Sequence, residues 1–142
     1  MERIFRGKTF SQDEHFDDGE WVEGYYICFN GKEHRIYSGY AETDCGDYYP
    51  DWFNVRPETV GQYTGLTDKN GKKIFEGDIC QIKGISYIDE TPFVVEWNEE
   101  FSGWFWRNLD FGSATDTLTA EIAETSRVIG NIHDNKELLE VK

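Results

Sequence analysis

Residues able to do chemistry crowd into one stretch, Val60 to Asp78, which carries Asp68, Asn70, Gly71, Glu76, Gly77 and Asp78. Two ligand loops use such letters, and each has a register that tests it. A calcium loop of the EF-hand type takes ligands from its first, third and fifth positions, glycine at the sixth and glutamate at the twelfth. Gly71 at the sixth position puts Asn70 fifth and Asp68 third. Leu66 then falls first and Gly77 twelfth, and neither brings a carboxylate. A phosphate-cradling loop needs Gly-Lys followed by Ser or Thr and a helix. Gly65 and Gly71 stand one residue too far apart for it, and Lys72 is followed by Lys73. Turn chemistry accounts for the same letters: Asn70-Gly71 for a tight hairpin turn, and Glu76-Gly77-Asp78 for a second, sharper one.

The remaining reactive side chains are scattered. His15, His34 and His133 are far apart, and no pair has the spacing of metal ligands. His133 precedes Asp134, so a general base oriented by a carboxylate is the enzymatic reading of it. The ordinary reading is a residue that ends a strand and bonds backbone. Cys28, Cys45 and Cys80 form no Cys-x-x-Cys pair, which argues against a zinc or dithiol site and suits reduced thiols in a cytoplasm. Carboxylate neighbours such as Glu99-Glu100 read as solvated turn residues. The expectation is therefore no catalytic residue, no cofactor and no metal.

Charge bounds the partners. Asp and Glu number 28 against 14 Lys and Arg, a net charge of -14, and the excess is spread along the whole chain. Nucleic-acid binding through the phosphate backbone requires clustered positive charge, so this balance argues against it. An acidic surface instead suits a solvated exterior or a basic protein partner. The segment Met1–Arg6 lacks the apolar stretch of a secretory leader, and no apolar run reaches membrane-spanning length. Mean hydropathy is low, -0.67, but aromatic residues make up 16% of the chain. Large rings bury much area each, so a chain of 142 residues can fold around them.

The elements that must carry these residues are mostly strands. Trp21 to Phe29 is rich in β-formers. Asn30-Gly31 follows, and then Arg35-Ile36-Tyr37, so the spacing predicts a hairpin. Residues 41–51 read as an exposed loop, with Tyr48 and Tyr49 beside Trp52 as an aromatic–acidic patch fit for an interface. Trp52 to Val55 reads as a short strand stopped by Pro57. Ile79 to Lys83, Phe93 to Trp97 and Gly103 to Phe111 alternate or cluster apolar residues as strands do. In the last of these Trp104 and Trp106 share one face and Phe105 takes the other, so part of this cluster is expected away from the core, as a contact surface. Residues 117–125 are the best helix candidate, with Leu118 and Ile122 one turn apart. Arg127 to Ile132 returns to strand around Gly130, and a last helical turn runs through Leu139.

Three ordered blocks are similar to the YopX family of small proteins usually encoded by phages and prophages. They are Phe5-Arg6-Gly7-Lys8 with Gly19 to Tyr26; the central segment from Thr59 through Asp78; and Val128-Ile129-Gly130-Asn131-Ile132-His133-Asp134-Asn135 running on to Glu137-Leu138-Leu139. Lys136 stands where the family more often has proline, which leaves a backbone N–H available there. The resemblance implies a mainly β protein in the host cytoplasm that assembles as a homo-oligomer. It carries over no catalytic residue.

The expectation is thus one mainly antiparallel β domain over residues 1–142. An N-terminal β subdomain over about 1–58 and a barrel-like or strongly bent sheet over about 59–142 would share it with one or two short helices. The leading function is a non-enzymatic phage accessory protein acting through protein–protein contact, with itself or with a phage or host protein. A nucleic-acid-associated β-barrel regulator is the alternative, and it would need Lys69, Lys72, Lys73, Lys83 and Arg107 gathered on one concave face. A hydrolase would need His133 in a cleft with two carboxylates.

Overall fold

The computed structural model describes residues 3–9, 19–82, 92–109 and 115–139. Among the described residues it is mainly β, with two antiparallel sheets and one α-helix. The chain forms two compact units, Met1–Gln62 and Tyr63–Lys142.

The first unit contains β1 (Phe5–Lys8), β2 (Trp21–Phe29), β3 (Glu33–Glu42) and β4 (Tyr48–Asn54), paired antiparallel in the order β4-β3-β2-β1. The opening of β5 (Gly61–Thr67) continues this sheet, with Phe5 opposite Gln62 and Arg6 opposite Gly61. Asn30 (φ 53°) and Gly31 (φ 66°) make the turn between β2 and β3. Two successive positive φ values match the twist of the strands they join, which is why Asn-Gly is favoured there. Ile36 and Val55 are wholly buried, and a Cβ on Gly7 would sit 3.1 Å from both, so glycine lets β1 close over them. Residues 41–51 do not form the long loop expected. β3 continues to Glu42 and β4 starts at Tyr48, because a bulge between Tyr37 and Gly39 carries the pairing on to Glu42–Tyr48.

The second unit begins with the rest of β5 and its partner β6 (Lys73–Phe75). The other strands are β7 (Asp78–Ile82), β8 (Pro92–Asn98), β9 (Gly103–Asn108), β10 (Thr115–Thr117) and β11 (Ser126–Asn131), in the order β10-β9-β8-β7-β11. Both faces of this sheet carry core. Phe93, Val95 and Cys80 pack with Ile74, Leu118 and Ala123 on one side; Val94, Ile79 and Leu109 pack on the other with Ile129, Ile132, Leu138 and Leu139. A strand buried on both faces needs an unbroken apolar run, and Phe93-Val94-Val95 is that run.

The mainly β expectation holds: the second sheet is open among the described residues, ending at β10 and β11, which the expected barrel-like or strongly bent sheet allows. The outer edge of β11 is already occupied by the β5–β6 hairpin, through Lys69 N–H to Ser126 O (2.9 Å) and Val128 N–H to Asp68 Oδ2 (3.0 Å). The helix, α1, spans Ala120–Thr125, because Thr117 pairs with Phe105 in β10 and Thr119 is the N-cap, accepting from Ile122 N–H. Lys136–Leu139 form a 3-10 turn.

Candidate functional site

The central segment folds into two latches. In the first, Asp68 is buried and its carboxylate accepts three backbone N–H groups: Asn70 (2.8 Å) and Lys72 (2.9 Å) on Oδ1, and Val128 (3.0 Å) on Oδ2. Burial pushes its pKa up, but those three N–H bonds and the charge of Lys72 outweigh burial and hold it below the ordinary 3.8. The turn differs from a two-residue hairpin. Gly71 takes a positive φ, 79°, whereas Asn70 does not, since its N–H is held by Asp68. The second latch is Asp78, almost fully buried, whose Oδ2 accepts Phe75 N–H at 2.8 Å across the Glu76-Gly77 turn. Gly77 (φ 88°) donates to Val95 O and accepts from Ile132 N–H, both at 2.9 Å.

The C-terminal block answers these latches. Gly130 lies at a register shift in β11, and a Cβ there would meet Asn135 Oδ1 at 2.5 Å. That proximity lets Asn135 Oδ1 accept Asn131 N–H (3.1 Å) while Asn135 N–H donates to Asn131 O (2.9 Å). Asn131 Oδ1 in turn accepts the N–H groups of His133 and Asp134. His133 is half-buried in this turn, and the adjacent Asp134 carboxylate accepts from Asn131 Nδ2 (3.2 Å). Cys80 is buried, and burial first, then the nearby Asp78 charge, push its thiol to about 12, so it is a neutral core residue. His34 shares a hydrogen bond through Nδ1 with the Tyr26 hydroxyl, and the two rings stack 5.9 Å apart. His15 lies outside the described residues. Among the described residues no group of His, Cys, Asp and Glu has metal-holding geometry.

The aromatic residues separate by face. Trp104 and Trp106 pack against the first core of the second unit. Trp97 stands edge-on to Trp104 at 5.0 Å, while on the other face Phe105 stacks at 5.6 Å with Phe101, which is 67% exposed. In the first unit Trp52 is exposed, and the Arg35 guanidinium lies 4.0 Å over its ring. The backbones of Tyr48 and Tyr49 belong to β4, and their side chains lie outside the described set. Of the cations a nucleic-acid face would need, Lys69, Lys72 and Lys73 are exposed on the β5–β6 hairpin, and Arg107 is paired with Glu96 at 2.9 Å. Lys83 lies outside the described residues.

Sequence reasoning missed the surface that Trp52 joins. Tyr25, Ile27 and Phe29 alternate along β2 and are all exposed, and the register sets Tyr25, Tyr37 and Trp52 in one row across three strands. Ile27 and Arg35 form the next row. The signal was present: in Tyr25-Tyr26-Ile27-Cys28-Phe29 both alternating sets are apolar, so a sheet with one covered face leaves one set outside.

These features define a class of mainly β proteins in which a glycine-rich central hairpin and an Ile-Gly-Asn block lock a two-faced antiparallel sheet. The chain belongs to the YopX family: the family model, described as YopX protein, matches residues 14–140. It is similar in fold to protein EF1440 from Enterococcus faecalis, known from a crystal structure, with a TM-score of 0.63 and 24% identity over 99% of each chain. No curated protein matches this chain.

Proposed function

We propose that this protein is a non-enzymatic accessory protein of phages and prophages that works in the host cytoplasm through protein–protein contact, beginning with a second copy of itself. The observation that carries this reading is the exposed face of β2, β3 and β4. Tyr25 is 62% exposed, Trp52 40%, Phe29 37% and Ile27 41%. With roughly 200 Å² for a whole ring, the three rings leave on the order of 300 Å² of aromatic surface in water, the size of patch that marks an interaction site. Arg35 lies over both Trp52 (4.0 Å) and Phe29 (5.3 Å), which fixes their planes in advance of contact. The Arg35 charge is itself offset by the Glu33 carboxylate, 3.4 Å away.

Self-contact through this face has a recognisable salt response. Two copies of net charge -14 repel each other, and salt screens that repulsion while leaving apolar burial intact. Light scattering should therefore give an oligomer whose dissociation constant falls as salt rises from about 0.05 to about 0.3 M. Trp52→Ser with Tyr25→Ser should shift it toward monomer. A monomer at high protein concentration and high salt would refute the proposal.

A further inference from the structure

The tripeptide Asn-Gly-Lys occurs twice, at residues 30–32 and 70–72, each time as a turn between two strands. Asn followed by glycine is open to attack on its side-chain amide by the next backbone nitrogen, because glycine has no Cβ to obstruct the approach. The two copies are alike in exposure as well as in sequence. All six residues are exposed, and a Cβ on either Gly31 or Gly71 would meet nothing within 4 Å. Their backbone bonding is what differs.

In the first turn one backbone bond closes the loop, Lys32 N–H to Phe29 O at 2.9 Å. It spans the Asn30–Gly31 peptide without engaging it. Among the described residues the Gly31 N–H and the Asn30 side-chain amide have no hydrogen-bond partner. The second turn is tied on both sides of the corresponding peptide. Gly71 N–H donates to Asp68 O at 3.0 Å, and Asp68 Oδ1 accepts Asn70 N–H at 2.8 Å and Lys72 N–H at 2.9 Å. Asp68, with its pKa lowered from 3.8, is also ionised at neutral pH, and its fixed negative charge opposes loss of a proton from the neighbouring Gly71 N–H.

We infer that Asn30 is a site of spontaneous covalent modification in the folded protein, its side-chain amide exchanged for a carboxylate, while Asn70 is kept. The reaction needs only solvent. The Gly31 nitrogen gives its proton to hydroxide and attacks Asn30 Cγ. An N–Cγ bond forms, the Cγ–Nδ2 bond breaks, and Nδ2 leaves as ammonia with a proton from water, which restores the hydroxide. Water then opens the five-membered succinimide ring at one of its two carbonyls. Attack at Cγ gives aspartate. Attack at the Asn30 backbone carbonyl gives isoaspartate, with the main chain rerouted through Cγ and one carbon longer. Amide and water have become carboxylate and ammonium, with no oxidant or reductant. Either product adds one negative charge to a chain of net charge -14, beside Phe29 and its partner Glu33. Aspartate keeps the turn, since it tolerates the positive φ of residue 30 (53°), whereas isoaspartate lengthens the link between β2 and β3. This chemistry needs no contact at the face of β2, β3 and β4.

The test is to incubate the folded full chain for weeks in mildly alkaline buffer, with samples digested at intervals for mass spectrometry. Exchange of NH for O raises the mass of the affected peptide by about one unit. Isoaspartate and aspartate peptides separate by chromatography, and both should appear at Asn30. A parallel sample in concentrated urea is the control. There the two Asn-Gly-Lys copies should convert at closely similar rates, because the fold that distinguishes them is gone. In the folded chain Asn30 should convert at least about tenfold faster than Asn70, since opening the second turn breaks three hydrogen bonds, two of them to a charged acceptor, against one in the first. A folded-state ratio below about tenfold, or an intact Asn30 in the folded chain after the urea sample has converted, would overturn the inference.

Discussion

Replacing Asp68 by Asn or Ala tests whether the central segment is a latch. The carboxylate accepts three N–H groups at 2.8, 2.9 and 3.0 Å, and the residue is only 4% exposed, so water cannot stand in for what is lost. Asn keeps one acceptor oxygen and turns an NH2 group toward at least one N–H donor. A bond to a charged acceptor contributes about 1.5–3 kcal/mol, and a stranded donor adds to its loss, so Asp68→Asn should destabilise by roughly 2–4 kcal/mol. Asp68→Ala removes every acceptor and should cost roughly 3–5 kcal/mol. Urea unfolding at neutral pH reads the change as a lower midpoint at unaltered slope. Amide exchange reads it locally: Val128, which is 60 residues away in sequence, should lose protection together with Asn70 and Lys72.

The same latch predicts a pH dependence of definite sign. The folded pKa of Asp68 is lowered from 3.8, so its contribution is present above 3.8 and is lost as pH falls through the folded value. A protonated Asp68 resembles Asn, so the stability gap between the native chain and Asp68→Asn should narrow as pH drops below 3.8. A loss under about 0.5 kcal/mol, or a gap that is the same in acid and at neutrality, would refute the latch.

Two further outcomes follow from the packing. Gly130→Ala drives a methyl to within 2.5 Å of Asn135 Oδ1 and should destabilise by about 1–3 kcal/mol, with partial recovery when Asn135→Ala is added, measured by urea unfolding. A thiol reagent at about pH 8 should label exposed Cys28 and Cys45 in the folded chain and buried Cys80 only after unfolding. Because the Cys80 pKa is raised from 9.0 to about 12, its neutral form stabilises the fold below 9.0, and that contribution should fade as pH climbs toward 12.

What was legible in the sequence was local. Asn30-Gly31 sits between two β-prone runs, and both residues take the positive φ that such a turn needs. Phe93-Val94-Val95 stands out because both of its faces are buried. The misreadings arose where distant pairing overrode composition. Ala41 to Asp51 is polar and glycine-containing, yet most of it is strand, because β3 and β4 pair through a bulge. Thr117 belongs to β10 rather than the helix because Phe105 lies opposite it. Asp68 could be assigned to a turn from its neighbours, but its bond to Val128 depends on how β11 is laid beside the hairpin.

The latches also bear on how this protein can meet others. An open β-sheet invites pairing along its edges, and folded proteins block those edges to stay soluble. Here β11 is covered by Asp68 and Lys69, and the outer strand of the first unit, β4, contains Pro50, which has no N–H to offer. With those two edges obstructed, the proposed self-association uses a sheet face, the one bearing Tyr25, Ile27, Phe29 and Trp52. Contact between like-charged copies over an apolar face strengthens with salt, so a salt series in which self-association weakened as salt rose would show that this face has been misassigned.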